Sequence, residues 1–258
     1  MPIILPVYLE KVKLSVNGYE TVEHYSSLLS RAPKLCKIYV NFVDDFTLMN
    51  EDSLLYLFTN LGDRILSLTN VNASFFRQSS SLICEFCINL KELSIVRPQG
   101  STALQSSSTT GLYLLPVFQE PARAYKITHL HLGLENLSQS LLLAIAENCR
   151  NLKTLDLAYC RTLDDIILTK MTEHCGKTLK ILDISLCNSV TDDGILTVAQ
   201  KCPNLEEIML FQTKIGDKAV LALAMRCTKL KFCGVNPEQI SNETTQILCE
   251  KCIHKILM

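Results

Sequence analysis

Between Leu152 and Cys202 the apolar residues recur at a fixed step. Leu152, Leu155, Leu157 and Cys160 are answered 27 residues later by Leu179, Leu182, Ile184 and Cys187. Leu163 to Cys175 is answered at the same distance by Val190 to Cys202. The first half of each unit alternates apolar and polar positions, as a strand does when one of its faces is buried. Leu155 and Leu157 are thus predicted to face a core, with Thr154, Asp156 and Ala158 facing the other way. The second half carries apolar pairs three apart, such as Leu168 and Met171 or Ile195 and Val198, which is the buried stripe of a helix.

The same phase runs through the rest of the chain. The first apolar position of each unit falls at Leu9, Leu35, Ile65, Leu90, Ile127, Leu152, Leu179, Leu205, Leu230 and Ile253. The unit at Ile65 is the most irregular, because Asn70 stands where an apolar residue is expected. Helices are predicted within Leu137–Cys149, Leu163–Cys175, Val190–Cys202, Ile215–Cys227 and Ile240–Cys252, and within Met49–Leu61 and Phe75–Cys87. Most later helices open on pairs such as Asp164–Asp165, Thr191–Asp192 and Ser241–Asn242. Such side chains accept hydrogen bonds from free N–H groups at a helix start, and carboxylates suit its positive end. Capping therefore explains these carboxylates better than acid–base chemistry does.

One segment, residues 97–126, breaks the period. Its GSTALQSSSTTG run has little to bury and reads as an irregular Ser/Thr-rich insertion, followed by an apolar LYLLPVF that packs back. A period of about 26 residues marks a solenoid, in which each unit buries its apolar face against its neighbours. The expected fold is α/β: a single right-handed solenoid of about ten units over residues 1–258, with a parallel sheet on the concave face and helices on the convex face.

Composition narrows the chemistry. The net charge is −1, from 25 basic and 26 acidic residues, so there is no general attraction to nucleic acid or anionic membrane. No apolar run reaches the roughly 18 residues of a membrane span, and the N-terminus lacks a secretory pattern. The 12 cysteines recur at repeat positions and read as buried thiols of a reducing compartment, cytoplasm or nucleus. The pairs Cys84/Cys87 and Cys249/Cys252 have zinc-like spacing, but Cys84 and Cys249 occupy a slot filled elsewhere by Ala146, Thr172, Ala199 and Ala224. No catalytic signature is found, so neither enzyme activity nor a cofactor or metal is expected.

The unit C-x2-L-x2-L-x-L-x2-C-x2-[LV]-[TD]-D, seen as CRNLKTLDLAYCRTLDD, resembles the cysteine-containing leucine-rich repeat. CPNLEEIMLFQTKIGD is similar, with Thr213 in place of the second Cys. This repeat class is typical of F-box/leucine-rich-repeat proteins, where an F-box docks the adaptor of a cullin-RING ubiquitin ligase and the repeats hold the substrate. The resemblance implies a protein substrate or target on the concave face, and a cullin-ligase adaptor only if a longer form carries an F-box. Eight residues precede Leu9, too few for that roughly 40-residue module, so the F-box is expected to be absent from this chain. Both ends look uncapped, which predicts self-association. The alternative is a repeat-only scaffold or inhibitor with no role in ubiquitin transfer.

The outward strand positions nominate the partner-binding residues. His129 and His131, then Asp156, Asp183 and Glu207, then Met209, Phe211 and Phe232 are predicted to form an acidic strip running into an exposed apolar one. His129 and His131 lie on one side of one strand and are expected to be contact residues rather than metal ligands.

Overall fold

The computed structural model describes residues 10–16, 32, 34, 35, 37–42, 51–96 and 107–251. The phase marks Leu9 and Ile253, the residues Cys36 and Cys252, and the C-terminal IHKILM lie outside the described residues. So do both expected open ends. Among the described residues the fold is α/β, with nine parallel strands alternating with helices. It divides into two compact units, Met1–Ile127 and Thr128–Met258.

The first unit contains β1 (Lys11–Val16), β2 (Lys37–Phe42), α1 (Glu51–Leu61), β3 (Ile65–Asn72), α2 (Ala73–Phe86), β4 (Glu92–Val96), α3 (Ser107–Gln119) and α4 (Pro121–Ala124). The strands pair in parallel, in the order of the chain. Ile38, Ile65, Leu68, Leu90 and Leu93 are fully buried, so the phase marks point inward as their spacing predicts. The irregular unit has a specific solution. Leu68 pairs with Leu93, yet Val71 pairs with Ile95, so β3 carries one extra residue and bulges. Asn70 takes φ of 55°, a left-handed conformation that Asn tolerates. The bulge turns Val71 inward and supplies the missing apolar position, fully buried.

The 97–126 stretch departs from expectation. Residues 97–106 lie outside the described residues, but 107–119 and 121–124 are helical rather than irregular, forming α3 and α4. Leu114, Val117 and Phe118 are fully buried, three and four residues apart, and α3 packs on α2. A helical face is the reason that LYLLPVF packs back. Pro116, an interior helix breaker that here points to solvent, masked this face in the sequence.

The second unit alternates β5 (His129–Leu132), α5 (Gln139–Asn148), β6 (Thr154–Asp156), α6 (Asp165–Cys175), β7 (Ile181–Asp183), α7 (Asp192–Lys201), β8 (Glu207–Met209), α8 (Asp217–Arg226), β9 (Phe232–Gly234) and α9 (Asn242–Lys251). Leu130, Leu155, Leu182, Ile208 and Cys233 stand side by side across the parallel sheet, each at most 1% exposed. The helical pairs Leu142/Ile145, Leu168/Met171, Ile195/Val198 and Val220/Leu223 close the core from the other side.

Two polar ladders join successive repeats of this unit. At the helix starts, Ser138, Asp164, Thr191 and Ser241 cap their own helices, as their types predict. The next residue does something else. Asp165 accepts from Thr191 N at 2.9 Å, Asp192 from Gly216 N at 2.8 Å, and Asp217 from Ser241 N at 2.8 Å. Each carboxylate thus fastens its repeat to the cap residue of the following one. The thiols are similarly engaged: Cys187 Sγ donates to Leu157 O at 3.2 Å and Cys227 Sγ to Cys202 O at 3.6 Å. Burial pushes the Cys227 thiol up to about 11, so it stays a protonated donor, and pushes the Cys175 thiol up to about 12.

Candidate functional site

The site nominated from the sequence is built on the face of β5–β9 opposite the buried leucines. Its register places His129, Thr154, Ile181, Glu207 and Phe232 in one row. His131, Asp156, Asp183, Met209 and Gly234 form the next. All eight nominated residues are half-buried. Phe211 stands two residues beyond Met209, just past the end of β8.

The acidic part of the face is tied into the turns that follow the strands. Asp156 accepts from Ala158 N and Asp183 from Ser185 N, each at 2.9 Å. These bonds hold the chain as it enters a left-handed residue, Tyr159 at φ of 70° and Leu186 at φ of 63°. Both are bulky residues in a conformation that L side chains avoid. The turn of the next repeat stabilises them, because Tyr159 N donates to Ser185 O and Leu186 N to Phe211 O, both at 2.8 Å. Burial raises the Asp183 carboxyl above its ordinary range, the hydrogen bond from Ser185 N opposes that rise, and the nearby Asp156 charge adds to it. His131 Nδ1 lies 3.7 Å from Asp156 Oδ2, while His129 Nδ1 lies 2.8 Å from Thr128 Oγ1. The two histidines therefore have different partners. Among the described residues no three His, Cys, Asp or Glu side chains come together as a metal site.

The apolar part is a half-buried cluster rather than an exposed strip. It rests on Gly234: a Cβ there would stand 2.6 Å from the Phe211 ring and 3.1 Å from Phe232 Cε1. Phe211 therefore lies over the backbone of β9 beside Phe232. Met209, Phe211 and Phe232 are half-buried instead of exposed, because the missing side chain at 234 lets the rings settle onto the sheet. The glycine opposite two aromatics was the signal available in the sequence.

A feature not nominated from the sequence lies at the opposite ends of these strands. Glu206 binds Lys180 Nζ at 2.7 Å through one oxygen and Lys231 Nζ at 2.6 Å through the other. The hydrogen bonds from Lys180 and Lys231 hold its carboxyl down at about 2, and Glu206 in turn holds Lys231 above its ordinary value. Lys180, Glu206 and Lys231 follow one another at repeat spacing, so the triad could have been found from the phase.

Comparison with known proteins places this geometry. A family model described as Leucine Rich repeat matches residues 148–171 and 177–199. F-box/LRR-repeat protein 12 of Arabidopsis thaliana is 33% identical over 87 residues, covering 32% of this chain and 22% of that protein. F-box/LRR-repeat protein 4 of Bos taurus is 29% identical over 179 residues, covering 64% of this chain and 27% of that protein. F-box protein MAX2 homolog A of Petunia hybrida is 29% identical over 133 residues, covering 46% and 18%. The chain thus spans about a quarter or less of the length of these relatives. A chain of the solved Rad7–Elc1 complex from yeast superposes with a TM-score of 0.68 at 14% identity, covering 97% of this chain and 69% of that one. The chain therefore carries leucine-rich repeats over residues 148–199, has the fold seen in that yeast complex, and is distantly similar to F-box/LRR-repeat proteins.

Proposed function

We propose that this chain is a protein-recognition module, serving as the substrate-recognition repeats of an SCF-type ubiquitin ligase. The observation that carries the reading is the likeness to proteins named as F-box/LRR-repeat proteins, joined to a sheet face lined with side chains that are neither core nor cap. Repeat solenoids use such extended surfaces for binding, and leucine-rich repeats are generally binding scaffolds without catalysis. His129, His131, Asp156, Asp183, Glu207, Met209, Phe211 and Phe232 are proposed to touch the protein substrate. A cullin-ligase adaptor is a partner only if a longer form carries an F-box. Cytoplasm or nucleus fits the ten described cysteines, all free thiols. Among the described residues no helix is long and apolar enough to cross a membrane.

The test is affinity purification with quantitative mass spectrometry, on the chain and on any longer form. The Met209→Ala/Phe211→Ala variant should lose the captured target while its circular dichroism is unchanged. The longer form should also capture a cullin adaptor, and depleting the protein should reduce ubiquitylation of the target. Capture of the target without adaptor, and with its ubiquitylation unaffected, would favour a repeat-only scaffold or inhibitor. Equal capture by the double variant would remove these residues from the site.

A further inference from the structure

We infer that the edge at which β7, β8 and β9 begin takes an acidic segment of a partner protein. That the partner is a protein rests on the recognition role proposed above; the sign of its charge rests on this edge alone. Three successive connections carry the inference: residues 175–180 between α6 and β7, 201–206 between α7 and β8, and 226–231 between α8 and β9.

These connections bring together six exposed cations, Lys177, Lys180, Lys201, Arg226, Lys229 and Lys231. Their one carboxylate is Glu206, which Lys180 and Lys231 already share. Lys229 donates instead to a neutral oxygen, Asn204 Oδ1, at 2.6 Å, so its charge persists. Among the described residues Lys177, Lys201 and Arg226 form no ion pair. The last helical turns before the connections add one further acid, Glu173. The opposite edge, where the strands leave for the next helices, has the reverse sign. Asp164, Asp165, Asp192, Asp193 and Asp217 stand there against Arg161, Lys214 and Lys218. The net charge of −1 thus conceals two edges of opposite charge.

Helix dipoles explain only part of this segregation. A cation in the last turn faces the negative end of its helix, which accounts for Lys201 and Arg226. The effect fades beyond that turn, so it does not place Lys177, Lys180, Lys229 and Lys231. Nor are the connections loose. Asn204 Nδ2 donates to Lys177 O at 2.8 Å, while Glu206 N donates to Lys180 O and Lys231 N to Glu206 O, both at 2.7 Å. The three connections are fastened side by side, so little ordering remains to be done when a partner binds.

The size of the edge selects the kind of anion. Three-residue strands set the two edges about 10 Å apart, beyond the screening length of about 8 Å at physiological salt. A short acidic segment confined to the basic edge is therefore little repelled by the aspartates. Nucleic acid or an anionic membrane extends over both edges and meets the aspartates as well. At strand spacing the three connections span about 10 Å, the reach of about three extended residues. Two acidic side chains within four residues cover that span.

The experiment pans a random 12-residue peptide library on phage against the full chain, then measures the enriched peptides by fluorescence anisotropy. The expected peptides carry two Asp or Glu within four residues. Their affinity should fall about tenfold or more on Lys177→Glu/Lys229→Glu. It should fall less than about twofold on Lys214→Glu/Lys218→Glu, which changes the net charge equally at the opposite edge. Urea unfolding of both double variants separates lost binding from lost fold. If the first does not fold, Lys177→Gln/Lys229→Gln replaces it and should still weaken binding several-fold. Equal losses at the two edges would show attraction to the overall charge and overturn the inference. A 12-nucleotide thymidine strand or phosphatidylserine vesicles, bound more tightly than the peptides and equally dependent on Lys177 and Lys229, would overturn it in favour of nucleic acid or membrane. Enriched peptides without acidic residues, or no enrichment above background, remove it. The recognition role is judged separately, by target capture with Met209→Ala/Phe211→Ala, which leaves this edge unchanged.

Discussion

Replacing Gly176 by Ala sets two physical effects against each other, and their sizes decide the outcome. Gly176 follows α6 with φ of −56° and ψ of −35°, a right-handed conformation open to any residue. On backbone entropy alone, Gly→Ala at such a site stabilises by about 0.4–1 kcal/mol, because the unfolded chain has fewer states to lose. The packing opposes this. A Cβ at 176 would run into the Thr172 carbonyl oxygen, and it would meet Lys201 O at 2.6 Å and Lys201 C at 3.0 Å. Both obstacles are backbone, so neither can swing aside as a side chain would. Relief requires the end of α7 to move, which strains the Cys202 N bond to Val198 O, 2.9 Å long. Overpacking of this kind costs about 1–3 kcal/mol. The steric cost wins, and the net expectation is a loss of about 1–2 kcal/mol from a total of order 5–15. Equilibrium urea unfolding by circular dichroism reads it directly. With a slope of about 3 kcal/mol/M the midpoint should fall by about 0.3–0.7 M at unchanged slope. A variant as stable as the parent, or more stable, would show that α6 and α7 do not approach this closely and that the entropy effect governs.

Asp192→Ala should destabilise by about 1–2 kcal/mol in the same assay, since it frees Gly216 N from a 2.8 Å charged acceptor. Asp193→Ala, which removes an exposed 3.4 Å pair with Lys218, should change stability by less than about 0.5 kcal/mol. The Glu206 carboxyl is lowered from 4.5 to about 2 in the folded chain, so its contribution is complete above pH 4.5 and is lost as pH falls towards 2. The parent should therefore exceed Glu206→Gln in stability at neutral pH, with the gap closing across that window; a gap independent of pH would reject the Lys180–Glu206–Lys231 triad. Thiol labelling of the native chain, mapped by peptide mass spectrometry, should mark Cys249 and Cys84 before Cys149, Cys160, Cys175, Cys187, Cys202 or Cys227, because those six are at most 2% exposed. Early labelling of Cys187 would contradict its bond to Leu157 O.

The sequence by itself determined which residues are inside. Strand and helix periods are local, so the phase marks from Leu152 to Leu230 could be assigned as core without knowing any partner. The cap residues Ser138, Asp164, Thr191 and Ser241 were legible for the same reason, since each bonds within its own helix start. Tertiary structure decided whatever depends on the neighbouring repeat. Asp165, Asp192 and Asp217 look like second capping residues, and only stacking reveals that their acceptors serve the next unit. Asp156 and Asp183 were nominated as open contact residues, yet their carboxylates also hold the turns that follow. The Asn70 bulge, the helix concealed by Pro116, and the aromatic rings resting on Gly234 share one cause. Each is a compromise between a local preference and an apolar surface supplied by a residue distant in the chain, and a period read along the sequence carries no record of that second surface.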